Sequence, residues 1–146
     1  LTYSDLITNR KTDYKFDLKK FTNVNGKTGI YVQYSQVRAK KLLENIEIKN
    51  NKLNNLTLND IDRELLSKLY LFSYFLEQSA LLNEPHHLAN YLYEISNLFN
   101  QFYENEKILE IEELDRLSSK IYITNLFLTT SQNVMLCLGI APVSKM

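Results

Sequence analysis

The chain has 146 residues, a length that suits one domain with a sizeable buried core. Apolar residues make up 45% and charged residues 23%, which excludes a disordered chain, and three Gly and two Pro are too few turn formers for a sandwich or barrel of many short strands. Net charge is zero, yet residues 1–52 hold eleven basic and five acidic residues and residues 53–146 hold six and twelve, so the halves carry about +6 and −6.

Residues 1–25 show mixed polarity and no sustained period, which predicts an irregular lead-in. They begin without an initiator Met, as expected of a piece of a longer protein. A turn from Asn25 to Gly29 precedes the first predicted helix, with Thr28 as its cap and Ile30, Tyr34, Val37 and Leu42 marking a helical period to about Asn45. The Asn-rich stretch from Asn50 to Asn59 reads as a loop. Asn59 or Thr57 then caps a helix whose first turn carries Asp60, Asp62 and Glu64, which suit the positive end of the helix dipole. Ile61, Leu65, Leu69, Phe72 and Leu76 form one stripe, while Leu66, Tyr70, Leu71, Tyr74 and Phe75 make the other faces apolar. That pattern predicts one long helix at the centre of the domain.

Asn83, Glu84 and Pro85 end this helix and start another, because Pro is tolerated in a first helical turn. There Leu88, Leu92, Ile95, Phe99 and Phe102 alternate steps of four and three, the seam of a helix packed in a bundle. A last helix runs from about Glu112 to Leu138. Gly139 can end it at positive φ, with Ile140 folding back and Pro142 preventing resumption. The predicted fold is all-α, a helical bundle of four or more helices.

No catalytic constellation emerges. His86 and His87 are neighbours on a helix and should point about 100° apart, so they read as packing groups rather than joint ligands of one metal. Asp60, Asp62, Glu112 and Glu113 read as caps at helix starts. Gly26 to Gly29 spells GKTG, but a phosphate-binding loop needs a preceding strand and a Gly at position 21, where Phe21 stands. One cysteine, Cys137, allows neither an internal disulfide nor a Cys-based zinc site. No stretch reads as a membrane span or signal peptide, so the chain reads as soluble and cytoplasmic.

The residues beside the seams are more informative. Measured from Phe99 at about 100° per residue, Tyr103 lies near 40°, Asn100 near 100°, Tyr93 near 120° and Asn97 near 160°. In the first helix Tyr31 and Arg38 are about 20° apart, with Tyr34 on the same side. Aromatic planes with Arg and Asn suit unstacked bases, although tyrosines there also serve as rim packing of a bundle.

Four ordered blocks carry a family resemblance. TGIYVQYSQVRAKKLL (Thr28 to Leu43) resembles the segment that opens the C-terminal, DALR-type anticodon-binding domain of arginyl-tRNA synthetases. YSDLITNRKTDYKFDLKKF (Tyr3 to Phe21) resembles the end of that family's class I catalytic domain, EPHHLANYLYEISNLFNQFYEN (Glu84 to Asn105) its later helix, and LGIAPVSKM (Leu138 to Met146) its C-terminus. Ser35 and Val37 stand where the family often has Ala, Lys27 where Asn is common, and Lys145 where Arg precedes the terminal Met.

The resemblance implies a lead-in over residues 1–25 resembling the end of the catalytic domain, and an α-helical anticodon-binding domain over residues 26–146. It implies that Tyr31, Tyr34, Arg38, Asn100, Tyr103 and Met146 contact the anticodon loop of arginine tRNA, the central cytosine being its main identity base. The expected partners are this tRNA and the catalytic domain of the same parent chain, an ATP-dependent arginine-tRNA ligase. The fragment itself should be a monomer with no catalytic residue, no metal, no cofactor and no membrane contact, ATP belonging to the parent's catalytic domain. The alternative is a helical protein-interaction or regulatory module without RNA binding, which a large apolar surface patch lacking basic surroundings would favour.

Overall fold

The computed structural model describes residues 2–9, 11, 26–46 and 55–142. These form six α-helices and one short 3-10 turn: α1 (Thr2–Ile7), α2 (Gly29–Asn45), α3 (Asp60–Tyr70), α4 (Phe72–Leu82), α5 (His86–Asn105), the turn Ile108–Glu110, and α6 (Leu114–Cys137). No strand occurs among the described residues. The all-α bundle expected from composition and periodicity is the fold observed.

The core centres on α5. Leu88, Leu92, Ile95, Phe99 and Phe102 are all buried, each side chain contributing about 1.5–3 kcal/mol. Phe99 stacks on Phe127 of α6 with ring centres 4.1 Å apart. At the end of α6 the expected stop is present: Gly139 takes φ +70°, its N–H donates to the Leu136 carbonyl, and Ile140 N–H donates to the Met135 carbonyl at 2.9 Å. At the start of α2, Thr28 Oγ1 accepts from Tyr31 N–H.

Three expectations are corrected. First, α1 is not irregular: Tyr3 is buried and its hydroxyl donates to the Ala89 carbonyl at 2.8 Å, tying the chain start to α5. Only one side of this short helix is covered, so it leaves no period to read. Residues 12–25, the rest of the expected lead-in, lie outside the described residues.

Second, the stretch expected as one central helix is two that meet at Leu71: α3 packs Leu65, Leu66 and Leu69 into the core, while α4 has no fully buried residue and lies at the periphery. Tyr70, Leu71, Tyr74, Leu81 and Leu82 are exposed. The break has a definite cause. Buried Tyr91 donates its hydroxyl to the Lys68 and Leu69 carbonyls at 3.1 and 3.2 Å, while Leu71 N–H takes the same carbonyls in a tighter turn. A side chain inserted into the ladder ends the helix.

Third, α2 buries the expected Val37 and Leu42 but also Val32, Ser35, Gln36 and Ala39, leaving Tyr34 exposed at its side. Two polar residues lie on that buried face, so counting apolar positions rotates it.

A charged knot joins α3 to α6. Asp62 completes a capping box with Asn59 and is fully buried. Its carboxylate accepts from Lys120 Nζ at 2.7 Å and from Arg116 Nη1. Arg116 and Lys120 both also reach Glu106, and Lys120 stands 4.2 Å from the Phe102 ring centre.

Candidate nucleic-acid interface

Helices α2 and α5 lie side by side, and the flank of their contact carries polar and aromatic pairs that form two neighbouring clusters. Towards the start of α2, Tyr31 meets Tyr93 at 5.5 Å between ring centres, and its hydroxyl donates to Asn97 Oδ1 at 3.2 Å. Lys27 Nζ stands 5.5 Å from the Tyr93 ring centre and donates to Asn90 Oδ1 at 3.2 Å.

The second cluster is built round Arg38. Its guanidinium carbon lies 4.8 Å from the Tyr34 ring centre and 4.7 Å from that of Tyr103, so one cation is shared by two rings. Arg38 Nη2 donates to Tyr34 Oη at 3.1 Å, and Nη1 donates to Asn100 Oδ1 and Glu104 Oε1, each at 3.1 Å. Burial alone would lower the Arg38 pKa, but the hydrogen bonds to Tyr34 and Glu104 outweigh it and hold the guanidinium above its ordinary value.

Asn100 differs from the other named residues in being buried. Its amide oxygen is taken by Arg38, and its nitrogen donates to Ser35 Oγ at 2.9 Å. Ser35 Oγ in turn donates to the Tyr31 carbonyl at 3.0 Å, which links the clusters through the helix backbone. The amide therefore sets the plane of Arg38 rather than facing outward. Beside Tyr103 opens a cleft of about 330 Å³, walled by Leu42, Ile108 and Leu109 and rimmed by Lys107 and Glu110.

Of the six residues singled out from sequence, Tyr34, Arg38, Asn100 and Tyr103 come together. Tyr31 stands one cluster away, and Met146 lies outside the described residues. Lys27 and Glu104 complete the clusters but were not among the six. Charge position alone gives them no signal, because their partners come from another helix. Six of the eleven basic residues of the N-terminal third also lie outside the described residues.

Elsewhere, Glu84, His86 and His87 offer ligand atoms that all lie within 4.8 Å of one another, against the expectation that the two imidazoles diverge. His86 is the first residue of α5, and the two rings sit 4.2 Å apart. The Glu84 carboxylate is engaged by Lys11 on one oxygen and by His87 Nε2 at 3.1 Å on the other, an ion-paired tether between the chain start and α5. No helix of the described residues is long and apolar enough to cross a membrane.

The model of the DALR anticodon binding domain matches residues 32–146, which include the whole Arg38 cluster and, of the first cluster, Tyr93, Asn97 and Asn90 but not Lys27 or Tyr31. The chain belongs to this family. It is 32% identical over 149 aligned positions to an arginine-tRNA ligase of Alkaliphilus oremlandii, covering 100% of this chain and 25% of that protein. Over 133 positions it is 36% identical to the arginine-tRNA ligase of Agathobacter rectalis, covering 87% of this chain and 22% of that protein. The arginyl-tRNA synthetase structure of Plasmodium falciparum superposes with a TM-score of 0.86 at 27% identity, over 99% of this chain and 26% of that one. The chain thus spans about a quarter of the length of the relatives it matches, and within the DALR family a helical interaction module without RNA binding is not favoured.

Proposed function

We propose that this domain reads the anticodon loop of arginine tRNA, so that a longer parent chain attaches arginine to the correct tRNA with ATP. The observation that supports this most directly is Arg38, held in one orientation by Asn100 and shared by the rings of Tyr34 and Tyr103 at an accessible edge of the bundle. Unstacked bases need such planes to stack on and directed donors for their edges. The guanidinium offers both, and its planar fork meets a base acceptor or a phosphate equally well. Tyr31 extends the surface by about two helical turns, and Met146 would join it from the C-terminus. The domain works in the cytoplasm as a monomer against the catalytic part of its own chain. It has no catalytic residue, metal or cofactor of its own, ATP serving the catalytic part.

The test is binding of the chain to an RNA hairpin carrying the arginine anticodon loop, measured across a salt series. Replacing the central cytosine should weaken binding about tenfold or more, since a read base contributes about 1–3 kcal/mol of discrimination. Arg38→Ala should either remove that discrimination, as a base contact, or weaken all hairpins alike and flatten the salt slope by about one, as a phosphate contact. Equal binding of all hairpins by the unchanged chain would refute base reading.

A further inference from the structure

Tyr93 and Asn97 belong to the first cluster, but both also wall a second cleft on the other side of α5. This cleft lies between α3 and α5 and measures about 390 Å³, within the range of small-ligand sites and large enough for a nucleoside. Leu71 and Leu98 give it apolar walls, Tyr93 a ring and Asn97 an amide, while Glu64 and Glu94 bring carboxylates to it. Lys68 also lines the cleft but is spent on Glu94, 2.5 Å away, whereas Glu64 makes no ion pair among the described residues. Leu71, in its wall, is also the residue at which α3 stops.

The chemistry of the lining is selective. A carboxylate without a cation repels phosphate and accepts hydrogen bonds, so the favoured occupant is an uncharged ring that stacks on Tyr93 and presents N–H donors. Exocyclic amino groups of adenine, guanine and cytosine provide such donors, and uracil has none. Asn97 and Tyr103 are six residues apart on α5, about 9 Å along its axis and about 120° round it, so an RNA loop that wraps round α5 is required to touch both clefts. We propose that the α3–α5 cleft holds a second unstacked base bearing an exocyclic amino group, contributed by the same RNA loop that meets Arg38, with Glu64 accepting from the amino group. This rests on the anticodon-loop reading given above.

The experiment uses the chain and the arginine anticodon hairpin, with one amino-bearing loop base at a time replaced by its analogue lacking that group: purine riboside for adenosine, inosine for guanosine, pyrimidin-2-one riboside for cytidine. The expected result is a loop position other than the central cytosine at which the replacement weakens binding about tenfold, a penalty that Glu64→Gln reduces at least threefold. Ser67→Trp, which fills the cleft from an exposed position of α3, should abolish the same penalty. Neither variant should alter the effect of Tyr103→Ala on binding, and unchanged far-ultraviolet circular dichroism verifies their folding. The proposal is overturned if Glu64→Gln and Ser67→Trp leave every base preference intact while Tyr103→Ala still weakens binding, a result under which the Arg38 reading stands. Absence of any loop preference in the unchanged chain overturns both.

Discussion

Replacing Asp62 by Asn removes one charge from the buried knot while keeping the shape of the side chain. In the native chain Lys120 and Arg116 face two carboxylates, Asp62 with no exposed surface and Glu106 with its side chain one-third exposed. In Asp62→Asn two cations share Glu106 alone, and Lys120, itself fully buried, keeps only that carboxylate and the Phe102 ring. Removing one partner of a buried pair destabilises by about 3–5 kcal/mol, because the charge left behind remains out of water. For a domain of this size that lowers the melting temperature by roughly 10–15 °C and removes a large part of a typical stability of about 5–15 kcal/mol. Urea and thermal denaturation followed by circular dichroism measure it directly. The control is Lys107→Gln, which breaks an exposed pair with Glu110 and should change stability by less than about 0.5 kcal/mol. A loss below about 1 kcal/mol in Asp62→Asn would show that water reaches the knot and would refute the reasoning.

Tyr91→Phe should cost about 1–2 kcal/mol in urea denaturation, since it withdraws the hydroxyl from the Lys68 and Leu69 carbonyls without opening a cavity; no loss would mean that the helix break stands without it. Acidification should destabilise in two stages. Burial, with His87 beside it, holds His86 below its ordinary 6.5, and hydrogen bonds from Arg116 and Lys11 hold Glu106 and Glu84 below 4.5. In each case the unfolded chain takes up the proton first, so stability falls as pH drops below about 6.5 and again below about 4.5. Melting temperatures between pH 8 and 4 check this, Glu106→Gln should flatten the lower limb, and a rise in stability towards pH 4 would contradict it.

The sequence was most legible where local chemistry decides structure. Thr28, Asn59 and Gly139 each form the terminus expected of them, because caps depend on residues within one turn. The five-residue seam of α5 is buried throughout, because its spacing alone defines a face. Where a distant partner decides, the reading changed. The break at Leu71 is made by a hydroxyl twenty residues further on, and no pattern within Ile61 to Leu82 encodes it. Asp62 reads from sequence as a cap and is one, but Lys120, which makes it the centre of a knot, sits in the next-but-two helix. In the candidate interface, the family resemblance joined Tyr103 of α5 to Arg38, which the structure brings together, while helical angles grouped only Tyr34 and Arg38 along α2. They could not show that Asn100 turns inward to Ser35, since that depends on how close α2 and α5 approach.

Glu104 gives the Arg38 cluster a resident competitor. Its carboxylate is exposed and already satisfies one arm of the guanidinium, so an RNA bound at Arg38 as proposed would have to replace that bond and bring its own negative charge past Glu104. A phosphate would only exchange one anion for another there, whereas a base would add stacking on the tyrosines to the same hydrogen bonds. On the proposed reading, discrimination is a threshold set by the unliganded surface: loosely fitting RNA would be turned away by the protein's own anion, and only a ligand with several simultaneous contacts would clear it.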